Sequence, residues 1–224
     1  MLTSIFGGEL PWSSRDWTSS NDTVRGGKSS SSFKFIESNS VAIFSGYLDV
    51  STLGGAGFAS QRTKGNDRVW DLSNYDGIVL NIKKADGKKY TFSLKDQVVA
   101  PTQSSISWDF NFITTGDEQV KIFWSDLEPT YRGRVLEDTT PLNLKEIRGF
   151  SLMMRSFFGF QEGRFALSLS SISAFTTKYE PYQDNFSDDA ISYLEKISEK
   201  DNHDFTPPSQ TWLNKYFGGC IGRR

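Results

Sequence analysis

The stretch "GIVLNIKKADGKKYTFSL", residues 77–94, contains two alternating apolar runs joined by a turn signal. Apolar side chains fall at every second position of the runs, at Ile78, Leu80 and Ile82, and then at Tyr90, Phe92 and Leu94. This spacing places them on one face of a strand. Asp86-Gly87 lies between the runs, and this dipeptide tolerates the positive φ of a tight turn. The stretch therefore predicts a β-hairpin.

The same period of two recurs along the chain from Phe33 to about Phe175. It is visible in "SFKFIE", "VAIF", "ISWDFNF", "QVKIFW", "GFSLMM" and "RFALSLSSI". No long helical pattern precedes residue 187, so strands do not alternate with crossover helices as they would in a parallel α/β sheet. No repeat of fixed period is visible, which disfavours a propeller. The sequence predicts an all-β fold, a jelly-roll β-sandwich.

The composition changes after the last predicted strand. We expect the β-sandwich domain to span residues 1–180 and a separate segment to span residues 181–224. In "NFSDDAISYLEKISEK", Ser187 is suited to an N-cap, and a short amphipathic helix is predicted from the apolar positions Ile191, Leu194 and Ile197.

The final stretch, "TWLNKYFGGCIGRR", is aromatic and basic without a clear period. Trp212, Tyr216 and Phe217 lie within six positions of one another. Three aromatic side chains so close together are poorly suited to a purely solvated tail. We expect these residues to anchor the tail.

Composition argues against several classes of function. Lys+Arg total 25 and Asp+Glu total 27, a formal net charge of −2, whereas the footprint of a nucleic-acid binder is basic. No apolar run approaches the roughly 18 residues that indicate a transmembrane segment. With one cysteine, Cys220, and one histidine, His203, the chain offers neither a zinc cluster nor a Ser-His-Asp triad in its folded body. We expect no metal, no cofactor and no catalytic activity.

The N-terminal stretch "MLTSIFGGELPWSSRDW" lacks a basic segment ahead of an apolar one. Its first arginine, Arg15, follows Glu9. This pattern predicts neither a secretory signal nor a transit peptide, which makes a cytoplasmic location an alternative to a mitochondrial one.

Two polar motifs are candidates for binding. "NDTVRGG", residues 21–27, lacks the glycine and lysine spacing of a phosphate-binding P-loop, so nucleotide binding is not expected from it. "YRGR", residues 131–134, could direct two guanidinium groups at a carboxylate, a phosphate or a partner backbone. The spacing alone favours the other interpretation, an ion-paired loop with the nearby acids Glu128, Glu137 and Asp138.

Four aromatic residues beside predicted loops bear on sugar binding: Trp12, Trp17, Trp70 and Tyr75. Exposed on a concave sheet face, such rings would stack on sugars and favour a glycan ligand. Buried in the core, they would favour a protein partner instead.

Several motifs occur in an order typical of one family. They are "NDTVRGG" with the Trp17 that precedes it, "GFASQR" at residues 57–62, "YDGIVL" at 75–80, "ADGKKYTFSL" at 85–94 and "YRGR" at 131–134. Over residues 12–175 the sequence resembles the complex I intermediate-associated protein 30 family. The resemblance implies a galactose-binding-type jelly roll related to carbohydrate-binding modules. It also implies a mitochondrial, chaperone-like protein without catalytic activity that helps to assemble respiratory complex I, the NADH:ubiquinone oxidoreductase.

We hypothesise that the family motifs form one loop cluster that binds a partner. Its members are Asn21, Asp22, Arg25, Arg62, Tyr131, Arg132 and Arg134. Asp22 and Arg25 would pair with Arg62 or with the 131–134 loop at one end of the sandwich. The expected partner is a protein, such as subunits of an assembly intermediate. A glycan ligand, or a cytosolic adaptor role unrelated to complex I, is the alternative.

Overall fold

The structure is a computed structural model that describes residues 1–36, 38, 40–65, 67–97 and 105–177. In these residues, thirteen β-strands form two sheets whose strand pairs are antiparallel. The all-β prediction is confirmed. The predicted helix after Ser187 and the tail residues Trp212, Tyr216 and Phe217 lie outside the described residues. No helix of the described part is long and apolar enough to cross a membrane.

One sheet has six strands and is organised around its longest member, which contains thirteen residues. Its spatial order is β3 (Ser30–Ile36), β4 (Val41–Leu48), β13 (Gly163–Phe175), β6 (Gly77–Ala85) and β9 (Glu118–Phe123), with β1 (Leu2–Gly7) also paired to β13. The first half of β13 pairs with β4 and its second half pairs with β1, while β6 occupies its other edge.

The second sheet has seven strands. Its spatial order is β11 (Arg134–Val135), β10 (Glu128–Tyr131), β8 (Ser107–Ile113), β7 (Lys89–Lys95), β12 (Gly149–Arg155), β5 (Phe58–Thr63) and β2 (Trp17–Ser19). The four central strands of this sheet carry the groove described below.

The core lies between the sheets and is built from the alternating positions. The predicted apolar residues of β6, β7 and β12 are buried, with at most 2% of any of these side chains exposed: Ile78, Leu80, Ile82, Tyr90, Phe92, Leu94, Phe150, Leu152 and Met154. Each buried side chain of this size contributes about 1.5–3 kcal/mol. In β4 the fully buried residues are Ala42, Phe44 and Leu48, on the face opposite to the Val41 and Ile43 of the sequence pattern.

The hairpin predicted at Asp86-Gly87 is wrong. The turn exists, with φ of 78° at Gly87, but it connects β6 of one sheet to β7 of the other. The Asp86 carboxylate accepts hydrogen bonds from the Tyr90 hydroxyl (2.9 Å) and from the Ala166 amide of β13 (3.0 Å). Because β13 and β9 occupy both edges of β6, the chain after the turn must cross the core to find a partner.

Candidate functional site

The outer face of the seven-stranded sheet carries a row of polar residues. Arg62 lies opposite Ser151, Ser151 opposite Ser93, and Ser93 opposite Asp109. The row crosses four strands and therefore extends about 14 Å at the usual strand spacing. An outer polar face is ordinarily solvated, yet only 3% of Ser93 and 4% of Asp109 is exposed. The row is therefore the floor of a groove.

This groove has a volume of about 880 Å³. Its walls include Leu53, Ala56 and Gly57 and residues 132–134 and 156–158. Its described lining includes seven basic residues and one acid, Asp109. The basic residues are Arg25, Arg62, Lys95, Arg132, Arg134, Arg148 and Arg155. The chain as a whole carries a formal charge of −2, so this positive charge is local to the groove. We call this groove the basic groove.

A hydrogen-bond network holds the floor of the basic groove. The Arg155 guanidinium donates to the Asp109 carboxylate at 3.2 Å and to Asn111 Oδ1 at 2.9 Å. The Thr130 hydroxyl also donates to Asp109, at 3.0 Å, and the Thr91 hydroxyl donates to Asn111, at 2.7 Å. Since both charged side chains are largely buried, the network fixes their positions.

Three buried polar atoms of this floor have no hydrogen-bond partner among the described residues: Ser93 Oγ, Asp109 Oδ1 and Arg155 Nε. A buried polar group without a partner costs about 1–3 kcal/mol. Asp109 Oδ1 can only accept a hydrogen bond and Arg155 Nε can only donate one. The floor is therefore suited to a ligand that brings a donor and an acceptor side by side.

Lys95 lies at the same face and donates to the Ser105 hydroxyl at 2.9 Å. Burial lowers the pKa of its ammonium group below the ordinary value, the Asp109 carboxylate opposes this, and the Arg62 guanidinium lowers the pKa further. The pKa of Lys95 therefore depends on the charges at both ends of the polar row, Arg62 and Asp109.

Replacing Arg62 by glutamine is expected to raise the pKa of Lys95. The change removes a positive charge that disfavours the protonated ammonium, while burial and Asp109 stay the same. Titration of the Lys95 side chain by NMR measures the shift. Arg164→Gln, an exposed change on β13, is the control and should leave Lys95 unaffected. An unchanged pKa in Arg62→Gln would show that the two cations do not interact.

The "NDTVRGG" motif stabilises the sandwich through the buried carboxylate of Asp22. Asp22 is fully buried in a short 3-10 helix, Asp22–Arg25, and accepts hydrogen bonds from Ser29 N (3.0 Å), Ser29 Oγ (2.6 Å) and Phe58 N (3.1 Å). A Cβ at Gly27 would lie 2.3 Å from the Asp22 carboxylate carbon, so only glycine allows the chain to close around it. These donors replace the hypothesised pairing of Asp22 with an arginine.

The residues on either side of Asp22 have different roles: Asn21 stabilises the fold and Arg25 lines the groove. Asn21 Oδ1 accepts hydrogen bonds from the Ser31 hydroxyl (2.8 Å) and the Ser60 amide (3.1 Å), which ties the motif to β3 and β5. Arg25 is exposed and lines the groove, with its guanidinium carbon 5.8 Å from the centroid of the Phe58 ring. The motif thus holds Arg25 at the groove edge.

The "YRGR" motif forms the tight turn between β10 and β11. Tyr131 pairs with Arg134, and both residues between them have positive φ, 52° at Arg132 and 80° at Gly133, as a two-residue type I′ hairpin requires. The left-handed conformation of Arg132 costs roughly 1 kcal/mol. Both arginines line the groove, whereas Tyr131 lies outside its lining.

The structure therefore brings together part of the hypothesised cluster. Arg25, Arg62, Arg132 and Arg134 line one groove, while Asn21, Asp22 and Tyr131 do not. Sequence reasoning missed four further charged lining residues, Lys95, Asp109, Arg148 and Arg155. The alternation of β7, β8 and β12 could have placed most of them on the outer face, but it does not reveal which strands are neighbours.

An exposed aromatic loop borders one end of the groove. Phe157 and Phe158 have positive φ, 46° and 58°, and 93% of Phe158 and 74% of Phe160 is exposed. Gln161 fixes the base of the loop because its amide nitrogen donates to the Lys89 and Arg155 carbonyls, both at 2.7 Å. We call residues 156–160 the Phe158 loop. A strained backbone that presents aromatic rings to solvent is typical of a binding site.

The tryptophans of the N-terminal half lie in the core or pack against it. Trp17 is 4% exposed and packs edge-on against Phe33 at 4.8 Å between ring centroids, and Trp70 packs edge-on against Phe150 at 5.0 Å. Trp12 donates its indole N–H to the Ser170 carbonyl at 3.1 Å. The described lining of the basic groove contains phenylalanine but no tryptophan or tyrosine. The described residues also contain no group of three or more side chains suited to hold a metal ion.

Comparisons of sequence point to one family. Residues 6–169 match the model of the family described as complex I intermediate-associated protein 30. The chain is also 42% identical over 180 residues to an uncharacterized protein of Schizosaccharomyces pombe, a match that covers 76% of this chain and 82% of that protein.

Comparisons of structure point to one fold. A family 11 carbohydrate-binding module from Clostridium thermocellum, solved with a β-1,3-1,4-mixed-linked tetrasaccharide, has a TM-score of 0.57 at 15% identity and covers 78% of this chain and 95% of its own. The family 11 module of a cellulosomal cellulase of that organism also has a TM-score of 0.57, at 14% identity, with coverage of 80% and 98%. At such low identity the likeness shows the fold alone, a jelly-roll β-sandwich.

Proposed function

Because the chain belongs to the complex I intermediate-associated protein 30 family, we propose that it is a non-catalytic assembly factor that binds a protein partner during assembly of mitochondrial respiratory complex I. The binding surface in this proposal is the basic groove together with the Phe158 loop. It contains Arg25, Arg62, Arg132 and Arg134 of the cluster hypothesised from the sequence.

The observation that carries the proposal is the exposure of the Phe158 loop. Two consecutive non-glycine residues in the left-handed region cost of order 1–3 kcal/mol each and persist only where the surrounding structure imposes them. Here Gln161 and the cation–π contacts of Phe157 with Lys89 (4.6 Å) and Arg155 (5.0 Å) impose the conformation. The result is a pair of exposed rings beside a polar groove, a combination that suits an aromatic anchor with a polar surround.

The position of the tryptophans supports a protein partner over a sugar. A sugar site of the usual kind would present Trp or Tyr rings on the binding face. Trp17 lies in the core and Trp12 and Trp70 pack against it, and none of the three lines the groove.

The experiment is crosslinking in whole cells of the native organism followed by affinity purification. It compares the unmodified chain with Phe158→Ala plus Phe160→Ala and with a matched control, Ile36→Ala plus Tyr47→Ala, which removes exposed apolar groups from the other sheet. We expect complex I subunits with the unmodified chain and with the control, and about tenfold less with the Phe158 loop variant. Recovery of cytosolic proteins alone would contradict the proposal and favour a cytosolic adaptor.

A glycan ligand is the second candidate, favoured by one observation. Asp109 Oδ1, Arg155 Nε and Ser93 Oγ form an unpartnered polar set that a pair of sugar hydroxyls could satisfy. Calorimetric titration with a mixed-linked β-glucan tetrasaccharide tests it. Binding that is lost in Asp109→Asn would support this function, and no heat of binding would remove it.

A further inference from the structure

We propose that the basic groove binds a carboxylate-rich segment of the partner polypeptide. The inference rests on the proposed function for the partner being a protein, and it adds the chemistry by which that partner is recognised. The occupant would lie along the floor row from Arg62 to Asp109, with its acidic side chains turned to the surrounding arginines.

The charges of the groove call for a ligand with several anionic groups. Of the seven basic lining residues, Arg155 is paired to Asp109 and Arg148 lies 3.3 Å from the carboxylate of Glu146. The groove still has an excess of positive charge, which comes from Arg25, Arg62, Lys95 and Arg134. Planar guanidinium groups match carboxylates with two parallel hydrogen bonds, which gives such a set its preference for acidic side chains.

The floor matches a polypeptide backbone. In an extended chain, the N–H donor and the C=O acceptor of one residue point to the same side. The N–H can donate to Asp109 Oδ1, and the carbonyl can accept from Arg155 Nε, the two unpartnered atoms at this point. Ser151 and Ser93, the small residues between Arg62 and Asp109, leave room for a chain to approach the sheet.

One end of the groove adds an apolar contact. Leu53, Phe58, Phe157 and Phe158 line this end, next to the exposed Phe158 loop. A segment that fills the groove would therefore combine acidic residues with an apolar residue at one end. Neutral chains leave the arginines uncompensated, and a phosphate backbone would have to approach the buried Asp109 carboxylate, so both fit the site less well.

The experiment measures fluorescence anisotropy of a labelled, end-capped oligoglutamate peptide carrying one terminal leucine, titrated with the full chain. The matched probe replaces every glutamate by glutamine. The test variant is Arg62→Gln plus Arg134→Gln, both exposed lining residues, and the charge-matched control is Lys121→Gln plus Arg164→Gln, both exposed on the six-stranded sheet. Thermal unfolding of each variant checks that it is folded.

We expect the glutamate peptide to bind at least about tenfold more tightly than the glutamine peptide, and the test variant to lose about tenfold or more. The control should change affinity by less than about twofold, and salt between about 0.05 and 0.5 M should weaken binding. Equal binding of the two peptides, or an equal loss in the control, would overturn the inference. Displacement of the peptide by the mixed-linked tetrasaccharide, or clearly tighter binding of polyuridylate, would also overturn it, because the groove would then belong to a sugar or to a nucleic acid.

The two proposals can fail separately. Peptide binding in the groove without recovery of complex I subunits by crosslinking would support the groove chemistry and contradict the assembly role. Recovery of those subunits without any preference for the glutamate peptide would support the assembly role and contradict the groove chemistry.

Discussion

Replacing Asp22 by alanine is expected to lower the free energy of unfolding by about 3–5 kcal/mol. The carboxylate is fully buried and accepts three hydrogen bonds, from Ser29 N, Ser29 Oγ and Phe58 N. Alanine leaves those buried donors unsatisfied and opens a space beside Gly27. Because a domain has only about 5–15 kcal/mol of stability in total, the loss should be a large part of it.

Urea unfolding followed by fluorescence measures this loss. Asp138→Ala, at an exposed position, is the matched control and should leave the midpoint unchanged. We also expect Asp22→Ala to weaken binding of the oligoglutamate peptide, since the 3-10 helix that Asp22 closes also positions Arg25. An Asp22→Ala protein as stable as the unmodified chain would show that the motif does not brace the sandwich.

Replacing Asp109 by alanine is expected to lower the free energy of unfolding by about 3–5 kcal/mol. The change leaves the largely buried Arg155 guanidinium without its carboxylate and the Thr130 hydroxyl without its acceptor. The cost of an uncompensated buried charge exceeds that of a lost surface ion pair by several fold.

A double variant separates the stability of this pair from its role in binding. Asp109→Leu combined with Arg155→Met removes both charges, and we expect it to recover most of the stability lost in Asp109→Ala. Asp16→Ala is the control for an ion pair that is more exposed, since 39% of Arg68 and 29% of Asp16 is accessible, and it should cost clearly less. A double variant no more stable than Asp109→Ala would contradict the assignment of the loss to the unpaired guanidinium.

The sequence correctly indicated the local structure of the turns but not the strands they connect. Asp86-Gly87 turns as its positive φ allows, yet it joins the two sheets, because the edges of β6 are taken by strands that come much later in the chain. In "YRGR" the same kind of signal does form a hairpin, since β10 has a free edge for β11. Turn chemistry is local, whereas strand pairing depends on all the competing strands.

In the candidate site too, the sequence identified some of the residues but not how they are arranged. Arg25, Arg62, Arg132 and Arg134 could be selected from the motifs that contain them, and the structure places them in one groove. Asp22 came from the same motif, but its carboxylate faces inward, because Ser29 and Phe58 enclose it. Arg155 was not selected, since nothing in "GFSLMMR" distinguishes it from an ordinary charged residue at the end of a strand.

The sequence by itself determined the all-β class, the apolar face of most strands and the family, because period-two patterning and motif order depend only on the order of the residues. Only the tertiary structure decided which strands are neighbours, and hence that arginines from five separate segments surround one buried aspartate. The physical reason is that strand pairing joins residues far apart in the sequence, as when β1 and β4 both pair with β13. A strand's own pattern specifies which face it buries, but its place in the sheet follows from the packing of the whole core.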